Sequence, residues 1–168
     1  MSANQATVRN ATAADARTLA DFNRSMALET ENRSLLPEVI LGGVKAVLEN
    51  PAHGFYLIAE VRGDPVASLM VTTEWSDWRN GEFWWIQSVY VTRPWRRRGL
   101  YRLLYNHVKQ RAARHPRVCG FRLYVERENQ VARQAYAALG MGETPYTVFE
   151  ESAPGREFFQ PSDQSAAP

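Results

Sequence analysis

The sequence predicts a mixed α/β fold (α+β mixed), with a central, mostly antiparallel sheet that includes one parallel strand pair and helices on both faces. Three observations predict it. The apolar period switches repeatedly between about 3.6 and about 2 residues, giving the order β-α-α-β-β-β-α-β-α-β. Residues 83–125 read as strand, helix, strand, and such a crossover makes its two strands parallel. The length of 168 residues suits one domain, assigned to residues 1–160, with a small, polar C-terminal tail at 161–168 expected to be disordered.

The elements follow in order. Residues 7–10 form a short strand, and Thr12 with Asp15 three residues later is a capping-box variant that starts a helix. Ala16, Leu19, Ala20, Asn23, Met26 and Ala27 lie on one stripe of that helix. Pro37 suits the first turn of a second helix, striped by Ile40, Val44, Val47 and Leu48 and stopped at Asn50 and Pro51. A strand hairpin spans 55–61 and 66–73. Residues 83–91 are apolar almost throughout, as in a strand covered on both faces. Leu100, Leu103, Leu104, His107, Val108 and Ala112 trace a helix over about 98–114. A strand at 121–125, a helix from about Asn129 that Gly140 caps, and a last strand at 146–150 complete the sheet.

Composition narrows the function. A formal charge of +2 is too small to imply a nucleic-acid or membrane partner, both of which need a concentrated basic field. No apolar run approaches the roughly 20 residues that span a bilayer. A single cysteine, Cys119, excludes an internal disulfide, and the N-terminus lacks a secretory pattern, so a cytoplasmic location is expected. His53, His107 and His115 have no metal-ligand spacing, and no metal is expected.

The chemistry concentrates where strand 86–91 runs through a basic turn into a helix at Arg96, Arg97, Arg98, Gly99, Leu100 and Tyr101. The first N–H groups of a helix, with the positive end of its dipole, bind phosphate oxygens, and a glycine lets the backbone approach closely. Arginines add charge-assisted bonds. The plain alternative is a solvated basic turn, but a position between a buried strand and an amphipathic helix favours a phosphate site. This segment resembles motif A of the GNAT superfamily of acetyl-CoA-dependent N-acetyltransferases: Arg or Gln, two residues, Gly, one residue, Gly or Ala. Arg96 and Gly99 match, whereas Tyr101 stands where the family carries a small residue, so its ring must point aside.

A second segment agrees. Asn129, Ala132, Tyr136 and Gly140 follow strand 121–125 with the spacing of the family's motif B. Asn129 can cap the helix, and Tyr136 lies two turns on along the same face. The resemblance, which covers roughly residues 7–151, implies a GNAT-like acyl-CoA N-acyltransferase fold in which the strands ending at 91 and 125 splay apart to admit the pantetheine arm. It further implies cofactor contacts at Val89, Tyr90 and Val91 and at Arg96 through Tyr101, with Asn129, Ala132 and Tyr136 on the other side. In the implied reaction an amine attacks the thioester directly in a ternary complex, an N–H near Val89 stabilises the oxyanion, and Tyr136 protonates the leaving thiolate.

The general base is not on the central strand, where Trp85, Ile86, Gln87 and Ser88 supply no carboxylate. Glu29 and Glu31 are the first candidates for catalysis and acceptor binding, ahead of Glu74 and Glu82, with a water chain as the alternative. Gln87 and Trp84 are candidate acceptor contacts, because Trp75, Trp78, Trp84 and Trp85 crowd beside acids, a chemistry that suits a cationic amine. Core packing or a dimer surface explains the same tryptophans, and a homodimer is possible. The expected partners are therefore acetyl-CoA and an amine on a small molecule, protein or peptide. The rival reading is a non-catalytic acyl-CoA-binding regulatory domain of the same fold.

Overall fold

The computed structural model describes residues 6–160. Five strands form one sheet in the order β1 (Ala6–Asn10), β2 (Phe55–Val61), β3 (Asp64–Ser76), β4 (Gly81–Val91) and β5 (Val118–Arg122). All neighbours are antiparallel except β4 and β5, which are parallel. The helices are α1 (Ala16–Glu31), α2 (Pro37–Glu49), α3 (Leu100–Ala112) and α4 (Gln130–Ala137).

The helices cover both faces because the strands alternate. Tyr56 and Ile58 of β2 meet Ala16, Leu19 and Ala20 of α1 and Val44 of α2 on one face. Leu57, Leu69, Val71, Trp84 and Ile86 meet Leu100, Leu104 and Val108 of α3 on the other. At the start of α1 the Asp15 carboxylate accepts from the Thr12 N–H at 2.7 Å and from two Arg9 nitrogens at 2.8 Å, and Arg9 also binds Glu60. That network joins β1, β2 and the helix entry. The first helix ends where Asn32 turns left-handed and returns its N–H to the Ala27 carbonyl.

Two expectations about the C-terminal third are corrected. The fifth strand is Val118–Arg122 and not 121–125, because its pairing with β4 ends at Trp85 and Arg122 and residues 123–125 leave the sheet. No strand forms at 146–150: these residues are exposed and meet no neighbouring strand, so their β-forming composition has no ladder to join. The tail at 161–168 lies outside the described residues.

Candidate active site

Strand β4 is built to open the sheet. Its ladder with β5 covers only Glu82 to Trp85, while the strand continues to Val91. From Ile86 onward its β5-facing edge has no strand beside it among the described residues. Within the same stretch a bulge sets Ser88 and Val89 opposite the single residue Leu69, and Ser88 takes φ +48°. The parallel ladder therefore ends at Trp85, three residues before the bulge in β4.

The strand leads straight into the basic turn. Thr92 anchors it by donating its N–H to the Val66 carbonyl at 2.9 Å. Arg97 has φ +60° and Gly99 φ +82°, the left-handed conformations that fold the chain tightly before α3. Gly99 is the N-cap, and no side chain caps this helix start. The first intrahelical bond here runs from the Leu103 N–H to the Gly99 carbonyl, so the amides of Leu100, Tyr101 and Arg102 are the uncommitted donors of the first turn. Arg97, Arg98 and Gly99 are exposed around them.

Arg96 braces this turn. Its Nε donates to the Val91 carbonyl at 2.9 Å and its Nη2 to Glu29 at 2.6 Å, and its guanidinium lies over the Tyr90 ring. Glu29 also accepts from the Tyr90 hydroxyl at 3.1 Å and pairs with Arg93 at 3.4 Å. A carboxylate in the last turn of a helix is disfavoured by the dipole, and the two arginines compensate. Partial desolvation raises the Glu29 carboxyl pKa, but the bonds from Arg96 and Tyr90 and the charges of Arg96 and Arg93 outweigh it, leaving a net depression. Glu29 is therefore held as a carboxylate within a clasp. Glu31, two residues on, is exposed.

The opposite wall comes from α4. Asn129 caps this helix by accepting the Ala132 N–H at 3.1 Å. Tyr136 packs edge-on against Tyr101, with ring centroids 5.3 Å apart, and burial raises its pKa, so the phenol is protonated at neutral pH. The Tyr101 ring does point aside: it stacks on Tyr105 within the core and does not project over the helix start. Its hydroxyl is buried with no hydrogen-bond partner. An orphaned donor beside Tyr136 fits a bound group that brings an acceptor atom against these rings.

The candidate acceptor residues separate. Gln87 lies on the α1 side, donating to Thr72 at 2.6 Å. Trp84 lies on the other face, 4% exposed in the α3-side core between Phe55 and His115, so its placement as an acceptor contact is corrected. Alternation decides this, since Trp84 and Trp85 are neighbours on one strand and must face opposite ways. Trp85 faces the α1 side, where its indole N–H and Arg122 (2.6 Å) both bind Glu74. Trp75, at the end of β3, and Trp78, on the β3–β4 connection, are exposed, so the four rings form no common wall. The Glu29 clasp and the Glu74–Arg122–Trp85 cluster escaped the sequence reading. Glu29 and Arg96 are 67 positions apart, and no local spacing signals such a pair.

Comparison with known proteins settles the family. Residues 17–141 match the model of the acetyltransferase (GNAT) family. The chain belongs to the GNAT acetyltransferase family. A crystal structure of a possible acetyltransferase from Clostridium difficile 630 shares 42% identity with this GNAT protein, with a TM-score of 0.82 over 89% of this chain and 98% of that one. Two more distant structures are alike in fold alone. One is a predicted acetyltransferase with acetyl-CoA from Clostridium acetobutylicum (14% identity, TM-score 0.75, 87% of this chain and 96% of that one). The other is a ribosomal-protein-alanine N-acetyltransferase from Brucella melitensis biovar Abortus 2308 (16%, TM-score 0.71, 88% and 99%). A search of curated proteins finds no match. The mixed sheet with its parallel β4–β5 pair is the expected GNAT architecture, and the chain is an acyltransferase. Among the described residues no helix is long and apolar enough to cross a membrane.

Proposed function

We propose that this GNAT enzyme is an N-acetyltransferase that moves the acetyl group of acetyl-CoA to a primary amine, on a small molecule or on a protein or peptide, by direct attack in a ternary complex. One observation carries the reading: the β4–β5 ladder stops at Trp85, while β4 runs on, bulged and unpaired along one edge, into an uncapped helix start. Such an edge suits an amide-bearing arm, and such a helix start suits a diphosphate.

Acetyl-CoA bound there supplies an acyl carbonyl activated by a thiolate leaving group. The amides of Leu100, Tyr101 and Arg102 then face the diphosphate, with Arg97 and Arg98 adding charge and Arg96 bracing the turn. The edges of Val89, Tyr90 and Val91 hold the pantetheine arm, opposite Asn129 and Ala132. The Val89 N–H, at the bulge, donates to the acyl oxygen as negative charge builds on it. The Tyr136 phenol donates its proton to sulfur. Gln87 orients the acceptor or a water, and with Glu29 committed to its clasp, the amine proton leaves through water. Glu31, exposed at the end of α1, then contributes negative field toward a cationic acceptor, while the charge of Glu29 is spent on Arg96 and Arg93.

A panel of amines incubated with acetyl-CoA, with free thiol followed, tests this directly. Amine-dependent thiol release is expected, together with a rise in melting temperature on adding CoA. Thiol release from no amine, with a thermal shift retained, would leave a binding domain; no shift either would end the proposal.

A further inference from the structure

A cavity of about 340 Å³ opens at the far end of α3 from the cofactor turn. His107, Gln110 and Arg111 line it from one face of the helix, at steps of three and one, and Arg114 and His115 continue that spacing into the closing turn. Asn10 of β1 supplies the facing wall. All six side chains can donate hydrogen bonds, and none is a carboxylate.

Arg111 is the telling member of this set. Its half-buried guanidinium lies 3.7 Å over the Phe55 ring and donates through Nη1 to the Asn10 Oδ1 at 2.9 Å. Both partners are neutral. Burial lowers its pKa, and no carboxylate among the described residues offsets the lost solvation. Arg9 and Arg122, half-buried as well, each bind a carboxylate instead. The negative end of the α3 dipole explains why basic side chains gather here. It does not explain a desolvated cation with neutral partners in a cavity that a second arginine and two imidazoles also line.

We propose that this cavity binds a phosphate group, free or at the end of a small monoester, at a site separate from the cofactor's. Two arginines balance such a group, whose charge is about −1.5 to −2 at neutral pH, and their planar forks match its oxygens. A single carboxylate would leave one arginine uncompensated. Gln110 and the imidazoles add neutral donors. Ten residues of α3 separate Tyr101 from Arg111, a rise of about 15 Å, and β1 stands three strands from β4.

Inorganic phosphate and glycerol 3-phosphate are titrated calorimetrically into the enzyme with excess CoA present, at constant ionic strength and with acetate as control. The ring signals of His107 and His115 are followed by NMR in the same titrations. One phosphate per chain is expected, undisturbed by CoA and moving both ring signals. Tighter glycerol 3-phosphate would assign the site to esters, and tighter inorganic phosphate to the free ion. Arg114 is exposed, so Arg114→Gln is expected to leave circular dichroism unchanged and to weaken binding roughly tenfold or more, the worth of a charge-assisted hydrogen bond. No binding, an equal response to acetate, displacement by CoA, unmoved ring signals, or an Arg114→Gln variant that binds as wild type does would each overturn the proposal.

Discussion

Tyr101→Phe should stabilise the ligand-free enzyme. The Tyr101 hydroxyl is buried without a partner, and the ring is fixed between Tyr105, at 5.9 Å, and Tyr136, at 5.3 Å. Phenylalanine retains both ring contacts and removes only the stranded donor. An unsatisfied buried polar group costs about 1–3 kcal/mol, and relaxation around the new edge returns part of it, so a gain of roughly 1–2 kcal/mol is expected. For a chain of this size each kcal/mol moves the melting temperature by about 2–4 °C, which puts the rise at roughly 2–8 °C. Thermal and urea unfolding of both proteins without ligand measure it. The same pair measured with saturating CoA supplies the second half. If the hydroxyl donates to the bound molecule, wild type gains more from CoA than the variant does, and the two melting temperatures converge. A ligand-free variant no more stable than wild type would show that the hydroxyl is satisfied in solution, and the inference that it awaits a partner would fall with it.

Tyr136→Phe should lower kcat by about 100-fold or more with little change in KM for acetyl-CoA, since its proton is wanted in the transition state; equal losses in both would remove the general-acid role. Glu29→Gln should keep kcat within roughly threefold, leave the pH–rate profile in place and raise KM for acetyl-CoA, because Glu29 braces the cofactor turn; loss of about 100-fold in kcat with a shifted acidic limb would make it the base. Bonds from Arg9, outweighing partial desolvation, and further bonds from Thr12 depress the Asp15 carboxyl from 3.8 to about 2. Because the folded value is the lower one, its contribution is complete above the unfolded pKa and fades as pH falls from about 4 through 2, a loss of about 1–2 kcal/mol after solvent screening. Denaturant unfolding across that range measures the slope, which Asp15→Asn should flatten. Gly99→Ala forces a side chain to adopt φ +82°, costing about 1–2 kcal/mol, and should weaken CoA binding; unchanged affinity would separate the turn's shape from its binding role.

Much of the fold was legible because it depends on local period. The stripe Ala16, Leu19, Ala20 on α1 and the apolar run of β4 required no tertiary knowledge, and the turn at Arg96 to Gly99 was found by its position between a strand and a helix. What sequence could not give is set by long-range geometry. The β-forming content of 146–150 promised a strand, but a strand exists only where an edge accepts it. The division of Trp84 from Trp85, and the capture of Glu29 by an arginine from another element, follow from which face each side chain occupies. Tyr101 shows the middle case: its mismatch with motif A was evident, while the stacked, buried resting place of its ring was not.

The bulge at Ser88 and Val89 also acts as a phase shifter. Before it the even-numbered Trp84 and Ile86 join the α3-side core; after it the odd-numbered Val89 and Val91 do, which turns Tyr90 toward Phe22 and Glu29 of α1. One additional residue thus lets a single strand place Gln87 and Tyr90 on the same side despite the odd step between them. Excising Ser88 would leave Val89 alone opposite Leu69 and restore strict alternation with Tyr90 still on the α1 side, so the deletion should abolish the left-handed step in β4 while keeping the cofactor turn in register.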